Sequence, residues 1–216
     1  MSSVVGTLPP ADDHQRLVVY RLWHPARHTS TADAMRTFGP LFRFDPHPEH
    51  DEPIDRDDHP PVWYGGEAFE TAVREVLDRA GPTRHPRVVE VCVRQRMAAL
   101  RLASPTWLVD LTDPTRLGAD DDLGDRPDID YRNTREWART LHDRADADGL
   151  RYHSARHRHP DGSRAGINVV LWNPDRAPQV VSDVAAASGG GWRRLQTILT
   201  AAGVAPVKAH GCHRCR

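Results

Sequence analysis

Between the first apolar run, Leu17 to Trp23 (LVVYRLW), and the first segment with helical periodicity lies a stretch that forbids regular structure. Residues 24–61 are rich in His, Pro and Asp and carry Pro46, Pro48, Pro53, Pro60 and Pro61. Proline fixes φ, lacks an amide donor and pushes the residue before it away from the helical region. A long helix or strand cannot survive there, so the stretch reads as an elaborated loop with Leu41–Asp45 as its one structured island.

Outside that loop the patterning is regular. Leu17 to Trp23 is β-rich and reads as a first strand. The clearest helix runs from about Glu67 to Ala80, where Phe69, Ala72, Val73, Val76, Leu77 and Ala80 recur at helical spacing. Gly81-Pro82 ends it. Val88–Val93 and Thr106–Leu111 read as strands, and Leu117–Asp130 as an acidic loop. Asn133 with Glu136 three residues on resembles a capping box, opening a helix through Trp137, Ala138, Leu141 and Ala145 that Gly149 closes. Leu150–Ser154, Gly166–Trp172 and Gln179–Ser182 are further strands. Gly189-Gly190-Gly191 reads as a flexible joint before a helix from Trp192 to about Ala202. Strands scattered among two or three helices lack the alternation of a parallel doubly wound sheet, so the expectation is a single α+β domain. Its limits are set at residues 16–183, between a flexible arm (1–15) and a segment of joint, short helix and basic tail (184–216).

Composition narrows the function. The 216 residues suit one domain with a sizeable core. A formal net charge of -1 gives no global basic field to recruit nucleic acid. Lys208 is the only lysine, so a general preference for arginine weakens what any single arginine signifies. No cationic run followed by an apolar stretch opens the chain, and nowhere do eighteen apolar residues follow one another. Three cysteines make no disulfide framework, and Cys92 sits in an apolar run, so a cytoplasmic location is expected. No GxGxxG or Walker-type loop is present, so a nucleotide would be held some other way.

Four segments carry the chemistry: Tyr20-Arg21, Phe42-Arg43-Phe44-Asp45, the unit from Val62-Trp63-Tyr64 to Glu75, and Gly149 to Arg156 (GLRYHSAR). In this order and spacing, over roughly residues 17–175, they resemble the RES domain, named for an arginine, a glutamate and a serine. The resemblance implies a fold like that of the ADP-ribosyltransferases and breakdown of NAD⁺, often as a toxin neutralised by an Xre-like DNA-binding antitoxin. Matched by position, the glutamate is Glu75, the serine Ser154 and the tyrosine ahead of the helix Tyr64. Arg21 and Arg43 both match arginine positions of the family, and His153 adjoins the serine. Phe42 stands where the family often has glycine, and the pair Gly65-Gly66 stands in the tyrosine segment where the family often has a smaller apolar or polar residue. The implied site is therefore catalytic at Glu75, Arg43 and Ser154, with Arg21, Tyr64 and His153 also facing NAD⁺, which is substrate; no cofactor and no metal are expected.

The chemistry stands on its own terms. Cleaving the nicotinamide–ribose bond develops an oxocarbenium-like charge, which a fixed carboxylate such as Glu75 stabilises. Tyr64 can stack on the planar nicotinamide, arginines meet the pyrophosphate with a bidentate fork, and Ser154 can bond the ribose or carboxamide. Water and phosphate attack the same cation, leaving hydrolysis and phosphorolysis both open. Transfer of ADP-ribose to a macromolecule is the rival activity, disfavoured because Val73-Arg74 supplies no second acidic or polar group ahead of Glu75. A binding module without turnover is the rival outside enzymes. The expected partners are NAD⁺ and an antitoxin, without direct nucleic-acid binding or membrane insertion, and homo-oligomerisation is left open. His210, Cys212, His213 and Cys215 are zinc-ligand types too closely spaced to wrap one ion alone. Asp120-Asp121-Asp122 lacks the final glutamate of a calcium loop.

Overall fold

The computed structural model of the chain describes residues 12–13, 17–25, 30–50, 52–77, 87–103, 105–112, 131–144 and 147–211. Ten strands and three α-helices occur among them: β1 (Asp12–Asp13), β2 (Val18–Trp23), β3 (Trp63–Gly66), α1 (Phe69–Leu77), β4 (Arg87–Cys92), β5 (Arg96–Arg101), β6 (Trp107–Asp110), α2 (Arg132–Arg144), β7 (Gly149–His153), β8 (Ile167–Leu171), β9 (Gln179–Ala185), α3 (Gly189–Ala201) and β10 (Val204–Ala209). Eight strands form one mixed sheet in the order β1-β6-β7-β8-β3-β2-β5-β9. Only β6 and β7 run parallel within it. β4 and β10 form a separate parallel pair. The domain is α+β, as the scattered strands and few helices predict.

The loop over residues 24–61 holds no strand or α-helix among its described residues, only the isolated bridges Arg36↔Val62 and Gly39↔Ile54. Its centre is fixed by a side chain. The buried Asp45 carboxylate accepts the amides of Leu41 (2.5 Å) and Phe42 (2.9 Å), which makes the expected island at Leu41–Asp45 a tight turn.

Strand alternation divides the core. Tyr20 and Leu22 face one side with Tyr64, Asn168, Val170, Leu150 and Tyr152, whereas Val19, Trp23, Trp63, Ala98, Leu100, Val169 and Leu171 pack on the other. On the first side α1 and α3 cover one half through Phe69, Val73, Leu77, Leu195 and Leu199, and α2 covers the other through Ala138 and Leu141. The apolar stripe of α1 does what its spacing requires: Phe69, Ala72, Val73 and Leu77 are all buried.

Several local readings need correction. The glycines 189–191 are the first turn of α3, not a joint ahead of it. A Cβ on Gly191 would lie 2.7 Å from the carbonyl oxygen of Ala185, so the helix approaches the end of β9 as only glycine permits. Gly149 does not close a helix; it opens β7, with the Val170 carbonyl oxygen 1.9 Å from where its Cβ would be. Asn133 lies inside the first turn of α2, which begins at Arg132. The stretch beyond residue 183 is part of the folded body: β9 continues to Ala185, Leu195, Leu199 and Val204 enter the core, and β10 pairs with β4 over six residues. Asp12–Asp13 likewise pairs with β6. The Gly81-Pro82 stop, Ala80, the acidic loop and the tail cysteines Cys212 and Cys215 lie outside the described residues.

Candidate active site

Four strands place a row of residues side by side. Tyr20 of β2 is opposite Gly66 of β3, Gly66 opposite Asn168 of β8, and Asn168 opposite Tyr152 of β7. Two tyrosines thus flank a low saddle of glycine and asparagine on one face of the sheet. α1 lies close over the saddle because Gly66 has no side chain: a Cβ there would sit 3.0 Å from the Ala72 amide nitrogen and 3.0 Å from Thr71 Cβ. Gly166, just ahead of β8, has the same effect, since its Cβ would fall 2.6 Å from Thr71 Oγ1 and 2.5 Å from His157 Nδ1.

This approach delivers Glu75 of α1 to the saddle. Ser154 donates its hydroxyl to Glu75 Oε1 at 2.5 Å, and the Asn168 side-chain amide donates to the same oxygen at 2.8 Å. Ser154 is 1 % exposed and its oxygen accepts the amides of Arg156 (3.1 Å) and His157 (2.8 Å). The serine is therefore locked in a turn and aimed at the carboxylate. His157 pins that turn to α1: its Nδ1 meets Thr71 Oγ1 at 2.8 Å and its Nε2 lies 3.4 Å from Glu70. Burial lowers the basicity of His157, opposed by the Glu70 charge, so the neutral ring is favoured.

A second cluster adjoins the first. Arg36, buried, grips both carboxylate oxygens of Asp45 at 2.6 and 2.8 Å. Tyr64 donates its hydroxyl to Asp45 Oδ1 at 2.9 Å, and its ring meets Phe42 edge-on at 5.3 Å between centroids. Burial disfavours charge on Asp45, but Arg36 and the Leu41 and Phe42 amides outweigh it and hold the carboxyl below its ordinary range. The Tyr64 phenol is driven well up by burial and by that carboxylate, so it stays protonated as a donor.

Tyr152 joins the two clusters. Burial first, then the Glu75 charge, raises its phenol out of the ordinary range; Arg43 opposes and Asp45 adds to the rise. Arg43 itself is buried, with its guanidinium 5.7 Å from the Tyr131 ring centroid.

The residues expected from the sequence divide accordingly. Glu75 and Ser154 are in direct contact; Tyr64 bonds Asp45, and Phe44, between Arg43 and Asp45 in the chain, packs its ring at 4.5 Å between centroids on Tyr152, the neighbour of Asn168. Arg21 points the opposite way from Tyr20, with its guanidinium 5.4 Å from the Trp63 ring centroid and Nη1 bonded to the carbonyls of Ala32 (2.8 Å) and Ala34 (2.9 Å). Burial, with Arg36 nearby, lowers its pKa to about 10 against the pull of Asp33. His153 points away from the Tyr152 side of β7. Arg36, Tyr152 and Asn168 are the members that sequence reasoning does not reach. Tyr152 shares a strand face with Ser154 by simple alternation, and Asn168 is a lone amide in the apolar run Ile167–Trp172; those are the signals they leave. Arg36 leaves none. Among the described residues no group of three or more His, Cys, Asp or Glu could hold a metal ion, and no helix is long and apolar enough to cross a membrane.

The model of the RES domain matches residues 18–193, well over half of the chain. The chain belongs to the RES family. The match contains every residue of both clusters and stops short of β10. Among solved structures the RES chain is similar to one titled "Crystal structure of the M.tuberculosis MbcT-MbcA toxin-antitoxin complex", at 12% identity over 80% of this chain and 85% of that one, with a TM-score of 0.44. None of the curated proteins compared with it matches.

Proposed function

We propose that the chain cleaves NAD⁺ at the nicotinamide–ribose bond, by hydrolysis or phosphorolysis, and acts as the toxin of a toxin–antitoxin pair. The observation that carries the reading is the Glu75 carboxylate, held at Oε1 by Ser154 and Asn168 on a saddle between two tyrosines. As the bond to nicotinamide breaks, positive charge grows on the ribose, and a carboxylate that is already oriented stabilises it without reorganising. Ser154 gives its O–H to Glu75 and accepts two amides, so its part is to orient the carboxylate rather than to bond the ribose. Arg43 is the arginine for the pyrophosphate, and Arg21 holds the backbone of residues 32–34. NAD⁺ is substrate, and no cofactor enters the scheme.

Transfer to a macromolecule is less well supported. Two residues ahead of Glu75 stands Val73, fully buried in the core, and Arg74 is paired with Glu70 at 2.8 Å, so neither offers a polar group to an incoming acceptor. Family membership supports an antitoxin partner that restrains the activity.

The test is direct. Purified protein incubated with NAD⁺ should release nicotinamide, with ADP-ribose as co-product in water or its 1″-phosphate when inorganic phosphate is the nucleophile. Intact NAD⁺ after incubation with folded protein overturns the reading. Expression of the chain without its partner should deplete cellular NAD⁺ and arrest growth; unimpaired growth with abundant folded protein would remove the toxin role.

A further inference from the structure

We infer that Asn168 is a positioning residue for Glu75, fixing the direction of its carboxylate. Asn168 is 5 % exposed and sits mid-sheet on β8 between Gly66 and Tyr152. The neighbouring glycine lets α1 approach until the Asn168 Nδ2 reaches Glu75 Oε1 at 2.8 Å. Ser154 reaches the same oxygen from the turn after β7, so two neutral donors from two different strands converge on one atom. Donors from two rigid elements restrain Oε1 from two directions, more tightly than either would alone. An amide is suited to the place because it donates without carrying a charge that would neutralise Glu75. The Thr71–His157 contact and the close fit at Gly166 hold the serine arm, leaving Asn168 as the arm carried by the sheet itself.

The effect on turnover rests on the NAD⁺ reading, whereas the contact with Glu75 does not, and the experiment separates the two. Asn168→Leu keeps the size and removes the donor; Asn168→Ala serves if the leucine does not fold. Asn168→Asp places a second carboxylate against Glu75. Each is made in the wild-type and in the Glu75→Gln background. With NAD⁺ as probe, Asn168→Leu should lower kcat about 10-fold, the size of one lost hydrogen bond to a charged group, while KM changes less than about two-fold.

Without substrate, melting temperatures are followed from pH 8 to pH 5. Two facing carboxylates bind a shared proton more tightly in the folded chain than in the unfolded one. The penalty on Asn168→Asp is therefore full at pH 8 and relieved as pH falls, so its melting temperature should rise towards that of Asn168→Leu. In the Glu75→Gln background that pH-dependent difference should shrink, because only the burial of the new carboxylate remains. Burial alone would also make Asn168→Asp sensitive to pH, but by the same amount in both backgrounds. A pH dependence of Asn168→Asp that is the same in the wild-type and Glu75→Gln backgrounds overturns the contact, and wild-type kcat in Asn168→Leu overturns the positioning role. An inactive wild type would instead overturn the NAD⁺ reading, with the melting arm still deciding for or against Asn168.

Discussion

Replacing Asp45 with Asn tests whether the loop over residues 24–61 is organised by one buried charge pair. Both partners are nearly sealed from water, the Arg36 side chain at 5 % exposure and that of Asp45 at 0 %. Asp45 accepts five hydrogen bonds: two from Arg36, two from the Leu41 and Phe42 amides and one from the Tyr64 hydroxyl. Asparagine keeps the shape but turns one acceptor into a donor facing other donors, and leaves Arg36 buried without a counter-charge. Breaking a buried pair in this way costs about 3–5 kcal/mol. In a chain of this size each kcal/mol lowers Tm by roughly 2–4 °C, so a fall of about 6–20 °C is expected in a thermal melt. Arg36→Met should be costly alone but add little to Asp45→Asn, because the two share one interaction. Burial opposes charge on Asp45, but Arg36 and the amides win, so the folded carboxyl binds its proton more weakly than the unfolded one. Its contribution is whole above the ordinary carboxyl value of 3.8 and is lost as pH falls below it; the Asn variant should lack that acid-side loss. A Tm within about 2 °C of wild type, on the same scale, would refute the argument.

Three further outcomes are expected. Glu75→Gln should reduce kcat for NAD⁺ cleavage about 100-fold or more with little change in affinity, whereas Arg43→Ala should chiefly raise KM, because the pyrophosphate is charged before the bond breaks; steady-state kinetics separate the two. Burial depresses the basicity of His47 and His157, so the unfolded chain takes up protons first: stability should be whole above pH 6.5 and decline as pH falls below it, and His47→Gln should flatten part of that decline in chemical denaturation. Truncation after Gly203 removes β10 and the buried Val204, and should lower the denaturation midpoint measurably, contrary to what a loose basic tail would do.

The legible parts of this protein are those written in local periodicity. The stripe of Phe69, Ala72, Val73 and Leu77 identifies α1 without any neighbour, because a helix face recurs within a few residues. The β-rich segments Leu17–Trp23, Leu150–Ser154 and Gly166–Trp172 identify strands in the same way, and the ordered motifs point to Glu75, Ser154, Tyr64, Arg43 and Arg21. β5 is the counter-example. Its sequence Arg96–Arg101 (RMAALR) consists of good helix formers, yet it is an inner strand between β2 and β9; a regular ladder with β2, a ladder with β9 that shifts register between Ala99 and Leu100, and the burial of Met97, Ala98 and Leu100 override a weak intrinsic preference. β10 and the glycine-led start of α3 were hidden for a related reason, since their shape depends on β4 and on the end of β9 rather than on their own residues. The site follows the same division. Sequence supplies a carboxylate and a serine, but Ser154 and Asn168 lie 79 and 93 residues from Glu75, and only strand register brings them to one oxygen. Among the arginines, Arg21 is turned to the far side of its strand and Arg36 to the Asp45 carboxylate by packing that no local pattern records. Hydrogen bonds between distant segments are decided by the sheet, because a one-residue change of register would send every side chain to the opposite face.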